Sequence, residues 1–485
     1  MPDPTYSVAV ELVSGSFTEV GSDCLRFTIA REAGGVVHGL PVGRADLILD
    51  NFDARYSPDN PGGPYAGLLK PNKALRIQAT HSGSTYNLFR GLIDRYSPEP
   101  ELERRVTHVQ ASDRLKDLMR RRIDSDIAID TNPGSLAWDV LSRAGVAVAD
   151  RDVDTLPELS TIPFAWFRDA PALQAMEQIL RFGYYSLYAA PNGRVTVKGR
   201  YWGPGDAIGT VVASYVNDFF ALDYALSDDA VVNFARVQGT PRRISTSVQT
   251  VAWLQERPFI PASSGIGFTL AYVDPDSNER ETPARSISVT NSADYLTNTN
   301  SGGTGVDRTA QASAQLTVSA VSAVCSIFNG SADPVYLTKF QLRGFSIQRQ
   351  PEIVAIAQDN SSQTVYGRRD FTLASDFIGT FDPYAQSYAD FLIRDRKEPL
   401  ADIGFTLKNV FPDVLGRELG DIVHLVESNT AVGSRFAIRS IEHDVTLARG
   451  LEHSVRYGVV FWIDREYLVL DNDPNGRLDS RRAAF

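Results

Sequence analysis

Residues 44–77 constrain the fold most: they carry prolines at 58, 61, 64 and 71 and glycines at 62, 63 and 67. Proline in a helix interior removes a hydrogen bond and clashes with the preceding turn, and glycine adds backbone entropy to be lost, so no helix runs through this segment. Leu47 and Leu49 before it, and Leu75 and Ile77 after it, alternate with polar neighbours as half-buried strands do. The pattern therefore predicts two strands joined by a long loop. With few apolar residues the loop cannot pack a core of its own, so it is either mobile or held against another surface. Tyr56 and Tyr65 on it, large rings with polar tips, favour its being held. An ordinary surface loop is the competing reading.

The same texture continues on both sides. From Tyr6 to Ala111 the chain reads as short strands (YSVAVELV, CLRFTIAR, RADLILDN, ALRIQATH, YNLFRGLIDRYS, RVTHVQAS) separated by turn residues, which predicts a small barrel or sandwich over 1–111. At Ser112-Asp113 a helix start is followed by Leu115, Leu118 and Met119 at helical spacing. Asn132-Pro133 opens a second helix that Gly145 stops, and Asp169 with Pro171 opens a third that Gly183 ends. The Asn192-Gly193 turn between alternating segments then predicts a hairpin, so 112–205 is expected to be an α+β unit. Residues 256–344, rich in Ser, Thr, Asn and Gly but with periodic Val, Ile, Leu and Phe, predict an inserted β-sandwich. Residues 206–255 and 345–470 are expected to form a second, discontinuous barrel. It carries one helix opened by Asp382-Pro383, and 471–485 form a polar tail. The fold class is thus mainly β, multidomain, with one α+β unit.

Several functions are disfavoured. A formal charge of -11 speaks against non-specific attraction to nucleic acid, which needs concentrated Lys and Arg. The dense basic run Arg120–Arg122 reads as the solvated end of a helix. No apolar run approaches the roughly 18 residues of a membrane span, and the N-terminal stretch has no basic leader, so synthesis in the cytoplasm without export by a signal peptide is expected. Cys24 and Cys325, far apart, suggest buried apolar residues rather than a disulfide framework. Glu442, His443 and Asp444 alternate along a strand, which turns the imidazole away from the carboxylates and spoils a shared metal site. Asp471, Asp473, Asn475 and Gly476 have the oxygen spacing of a calcium loop, but Arg482 stands where a closing Glu belongs, so Asx turns fit better. No phosphate loop, nucleophile elbow or Cys/His pair occurs. No catalytic residue, metal site or cofactor is therefore assigned.

The stretches LDNFDARYSPDNPGGPYAGLLKPNKALRI (49–77), LFRGLIDRYSPEP with VQASDRLKDLM (88–119), APNGRVTVKGR, VYLTKFQLRGFSI (335–347), YGRRDF (366–371) and ELGDIVHL with FAIRSIEHDVTL (418–447) form an ordered framework. Taken in that order, they resemble the siphophage tail-hub proteins, related in fold to the baseplate hub of contractile phages. None is an active-site motif. The resemblance implies two similar β-barrel domains, each with an additional domain. Three copies would form a ring of pseudo-sixfold symmetry around the tail channel, in a virion at the distal end of the tail. Its partners would be other copies of itself, distal tail or tail-tube proteins, the tape-measure protein and tip or receptor-binding fibre proteins, with phage DNA passing through without specific binding. Tyr56, Pro58, Pro61, Pro64 and Tyr65 are candidates for the subunit or ring-to-ring contact, since rigid aromatic anchors give contact area at low entropy cost. The competing functions are a host-receptor or glycan-binding tail adhesin acting through 256–344, and a cell-wall hydrolase.

Overall fold

A computed structural model describes residues 3–461 except 35–39, 102–104, 156–160, 184, 200–209, 380–382 and 449. The tail from 471 and its calcium-like spacing lie outside the described residues. Mainly β, as the alternation predicts, the chain is organised by a thirteen-stranded sheet built from two modules of the same strand order.

The first module comprises β1 (Thr5–Val13), β2 (Ser16–Glu19), β3 (Cys24–Glu32), β4 (Arg44–Asp50), β5 (Ala74–His81), β6 (Ser84–Pro100) and β7 (Arg105–Ser112). Apart from the flanking β2, these strands lie in the order β1-β5-β6-β7-β4-β3. Alternation is strict where it can be: in β3, Phe27, Ile29 and Arg31 are buried while Arg26 and Ala30 are exposed, the signature of a strand with one face on a core. The loop between β4 and β5 is held, because the Tyr56 hydroxyl donates to Asp23 at 2.6 Å and its backbone N–H donates to Asn51 at 2.8 Å.

The chain then enters the α+β unit through α1 (Leu115–Arg120), α2 (Pro133–Arg143), β8 (Arg151–Val153), α3 (Ala172–Gly183) and the hairpin β9 (Ser186–Ala189) and β10 (Val195–Lys198). Asn132 caps α2 by accepting from Gly134 and Ser135 N–H, and Pro133 supplies the first helical position. Asp113 couples this unit to the first module: its buried carboxylate accepts from Gly43 N–H at 2.7 Å and Leu115 N–H at 2.9 Å. Asp113→Ala orphans two buried donors and is expected to cost about 2–4 kcal/mol, read as a shift in the urea midpoint with unchanged slope.

The second module starts with β11 (Val211–Val216) and β12 (Ala221–Leu226) and is then interrupted. The interruption is itself nested. β13 (Phe234–Gly239) leads into an inserted β-domain, which includes β14 (Ser264–Ala271), β15 (Ala312–Val318), β16 (Ser322–Asn329) and the spine strand β17 (Val335–Arg349); β18 (Ile353–Gln358), β19 (Asp370–Ala374) and α4 (Pro383–Arg396) then follow. The module resumes with β20 (Ala401–Lys408), β21 (Ile422–Glu427), β22 (Val432–Thr446) and β23 (Glu452–Phe461).

Two boundaries differ from those expected. Segments 234–239 and 353–396, assigned from sequence to the second barrel, form a separate sheet (β18-β13-β19) under α4. They share an apolar core with the α+β unit through residues such as Val237, Leu373, Tyr388 and Leu392. The inserted domain also reaches further than 256–344, because Arg242 pairs with Arg349 and Gln249 with Gly344. Alternation reveals a strand but not the sheet it joins, so periodicity alone places these segments with the second barrel.

The second module's order is β11-β21-β22-β23-β20-β12, matching β1-β5-β6-β7-β4-β3 position by position in chain order. Even the irregularities repeat: a register shift falls between Ile93 and Arg95 where β6 meets β7, and between Ile438 and Ser440 where β22 meets β23. One difference is that β1 runs antiparallel to β5 whereas β11 runs parallel to β21. A single apolar core containing Phe27, Leu47, Phe405 and Tyr457 runs under both modules.

Candidate functional site

Three features of the long sheet stand out: the joint between modules, the open edge at its end, and the face turned away from the core.

At the joint, β3 pairs with the C-terminal half of β22 from Arg26↔Thr446 to Glu32↔Ser440. The N-terminal half of the same side of β22 is taken by β21, from Ile422↔Ala437 to Glu427↔Val432. A buried polar chain crosses here, with the Tyr6 hydroxyl 2.7 Å from His453 Nδ1 and His453 Nε2 3.0 Å from His443 Nδ1. Burial drives both imidazoles toward the neutral form, pushing His453 down to about 3 and His443 well below the usual range. This pair is not among the candidates that motif spacing picks out in the sequence. Its signal was available: 443 and 453 have the same parity on two strands of one hairpin and so face one side.

At the open edge, β12 is the counterpart of β3. The cross-strand row Phe27–Leu47–Val109–Tyr96 in the first module corresponds to Leu222–Phe405–Tyr457–Ile441 in the second. Leu222, Tyr224 and Leu226 thereby occupy the positions of Phe27, Ile29 and Arg31. Phe27 and Ile29 are 0% and 1% exposed, yet Tyr224 is 45% and Leu226 62% exposed, with Phe220 beside them at 69%. The two edges differ in one respect: β3 is covered by β22, and β12 has no strand on its outer side among the described residues. Likewise, residues 95–100 of β6 correspond to 440–445 of β22, and on the side where β22 receives β3 this stretch of β6 has no strand partner among the described residues.

The outer face carries charges of both signs in cross-strand pairs. Arg26 holds Asp444 through Nε at 2.9 Å and Nη2 at 2.6 Å, Arg456 holds Asp223 at 3.2 Å, and Lys408 holds Glu452 at 2.8 Å. These pairs are solvated and contribute little to stability, but each occupies a cation that would otherwise be free for phosphate.

The residues expected at a subunit contact are placed as follows. Tyr56 is buried in its own module, its ring 5.5 Å from that of Tyr65, so it anchors its own loop and is not free to anchor a partner. Tyr65 is half-buried against the same core. Pro58, Pro61 and Pro64 remain exposed at the loop surface. His443 turns inward and Glu442 outward, as strand alternation requires. Among the described residues no group of three or more His, Cys, Asp or Glu is placed to hold a metal. No helix among them is long and apolar enough to cross a membrane. Cys24 and Cys325 are buried in different cores. Arg120 ends α1, and Arg122 pairs with Asp169 at 2.5 Å. An open cleft of about 550 Å3 between α3 and β19, lined by Gln178, Arg181, Gln238 and Asp376 among others, includes no histidine or cysteine.

No family model and no curated protein sequence matches this chain. Solved structures do. The 43 kDa tail protein of prophage MuSo2 from Shewanella oneidensis aligns over 94% of this chain and 98% of its own, at 11% identity and a TM-score of 0.50. A tail protein from Neisseria meningitidis MC58 aligns over 93% and 96%, at 9% identity and a TM-score of 0.49. At such identity the shared property is fold. In fold, the chain is similar to the prophage tail protein from Shewanella oneidensis.

Proposed function

We propose that the chain is a structural component of a phage tail, a non-enzymatic hub in which three copies form a ring around the DNA channel at the distal end of the tail. The observation that carries this reading is the contrast between the two equivalent edges. One repeat's edge (β3) is covered inside the chain by the other repeat's long strand (β22), while the matching edge (β12) has no strand partner on that side among the described residues and leaves its inward Tyr224 and Leu226 exposed. Repeating the internal joint between molecules places residues 95–100 of one copy along β12 of the next, with Leu226 opposite Tyr96 and Tyr224 opposite Pro98. Two modules per chain and three chains then give six equivalent joints, three within chains and three between them.

The joints between chains are weaker in backbone bonding. In the internal joint, Leu447 N–H donates to Leu25 O and Ala33 N–H to Arg439 O, so the pairs at odd-numbered β3 residues exchange hydrogen bonds. The equivalents of His443 and Val445 in β6 are Pro98 and Pro100, which lack an N–H. Prolines on an edge discourage indiscriminate strand addition, and the intermolecular joint therefore relies on burying Phe220, Tyr224 and Leu226. Full burial of such side chains is worth roughly 1.5–3 kcal/mol each.

In such a ring the paired charges of the outer face suit a channel lining that lets DNA pass, and tail-tube, tape-measure and fibre proteins are the expected neighbours. Light scattering tests the assembly. Trimers, alone or on addition of the tail protein that contacts the ring, are expected; a strictly monomeric chain under both conditions contradicts it.

A further inference from the structure

We infer that the outer face of the β14-β16-β15 sheet in the inserted domain is a binding surface for a neutral glycan. The sheet is antiparallel, its inner face packs the domain core through Ile266, Phe268, Cys325, Ile327 and Leu316, and the other face is open. Two cross-strand rows define that open face: Gly265–Phe328–Ser313 and Gly267–Ser326–Gln315. A third row sets two threonines around Val324, which is 54% exposed. In a chain with 22% charged residues, none of these outward positions is ionisable.

The composition of the face selects the ligand class. Phosphate-rich or uronic polymers need cations, and the face offers none. The core of a protein interface is enriched in Tyr, Trp, Phe, Met and Arg and depleted in Ser; of the enriched types this face has Phe328 alone, and it carries the depleted type twice, at Ser313 and Ser326. A neutral sugar presents an apolar C–H surface on one side and hydroxyl groups around its rim. Phe328, 47% exposed, gives a flat ring for the first. Gln315, Ser313 and Ser326 give donors and acceptors for the second.

The two glycines keep the platform accessible. A Cβ at Gly265 would approach Phe328 Cδ2 to 3.4 Å and Ile327 O to 3.1 Å, so a side chain there would crowd the ring from one side. At Gly267 the nearest atom to such a Cβ is 3.8 Å away, so glycine there leaves open space rather than relieving a clash. A flat, one-ring site binds weakly by itself. Several copies on one particle would raise the avidity, and only that gain depends on the proposed ring.

The test uses the full chain on a microarray of microbial surface glycans, neutral and acidic side by side. Binding confined to neutral glycans is expected, with at least a tenfold loss of signal in Phe328→Ala and in Gln315→Ala. Both positions are exposed, so unchanged melting temperatures establish that the variants fold. Absence of binding to any neutral glycan, equal binding to acidic ones, or signals unchanged in the variants would overturn the inference. So would concentration-dependent self-association that Phe328→Ala abolishes without any glycan signal, which would assign the face to a second copy. The monomeric β12 variant described below should keep the same glycan selectivity at lower signal, so failure of the ring and failure of the glycan site are read separately.

Discussion

Tyr224→Asp combined with Leu226→Arg should convert the assembly to monomers while leaving the fold intact. Both side chains are substantially exposed in the isolated chain, so their replacement removes little from its own core. Between copies, the same positions would lie against Tyr96 and Pro98 of the neighbour. There a charge must be desolvated without a partner, and the apolar contact is lost as well. A loss of about 3 kcal/mol per joint, on the order of a hundredfold in affinity, is expected. Light scattering measures it, with the melting temperature as control. The reciprocal change in the covered repeat, Ile29→Arg, should instead unfold the module, because that side chain is 1% exposed. If the double variant at β12 assembled as well as the parent chain, the edge would have no part in the ring.

Acid should loosen the joint inside the chain. His443 and His453 are held neutral by burial, with His443 further depressed by His453 and Arg31, while Asp444 opposes the effect on His453. Their folded pKa values lie below the unfolded value near 6.5, so between these limits the unfolded chain binds more protons than the folded one. The stability these groups permit is complete above about pH 6.5 and falls as pH drops toward 3. For His453 the displacement to about 3 corresponds to a loss on the order of 5 kcal/mol across the whole window. Because Tyr6 of the first module shares the chain of contacts, hydrogen exchange should rise along β3 and β22. Urea unfolding from pH 7 to 5 reads the loss. The double variant His443→Gln, His453→Gln should flatten the slope, and an equal slope in both proteins would place the acid sensitivity elsewhere.

Much of this architecture is legible in the chain because its determinants are local. Alternation in CLRFTIAR, the Asn132-Pro133 cap and the Asn192-Gly193 turn act within a few residues. What escapes is pairing between distant segments. The partner of Tyr56 is Asp23, and no rule of spacing announces that a loop tyrosine will turn back to a turn at the start of β3. That the second module is discontinuous is legible, but where it breaks is not, for the same reason: the strand Ala221–Leu226 finds Ala401–Lys408 only after the whole interval 227–400, and loop closure over such a span leaves no periodic trace. The bare edge was legible only in part. Phe220, Leu222, Tyr224 and Leu226 alternate as a strand should, and the exposure of Phe220, Tyr224 and Leu226 takes on meaning only when the repeat is compared with its covered twin.

In the proposed ring, β12 of one copy receives β6 of the next in the register already used by β3 and β22. That register places residues 226 and 96 opposite each other, as Arg31 and Ile441 are within the chain. In a Leu226→Cys, Tyr96→Cys variant under mild oxidation, denaturing electrophoresis should show a ladder ending at covalent trimers, while each single variant stays at the mass of one chain. Absence of any cross-linked species from the double variant, under conditions where the parent chain is trimeric, would contradict the proposed register and with it the shared geometry of the two edges.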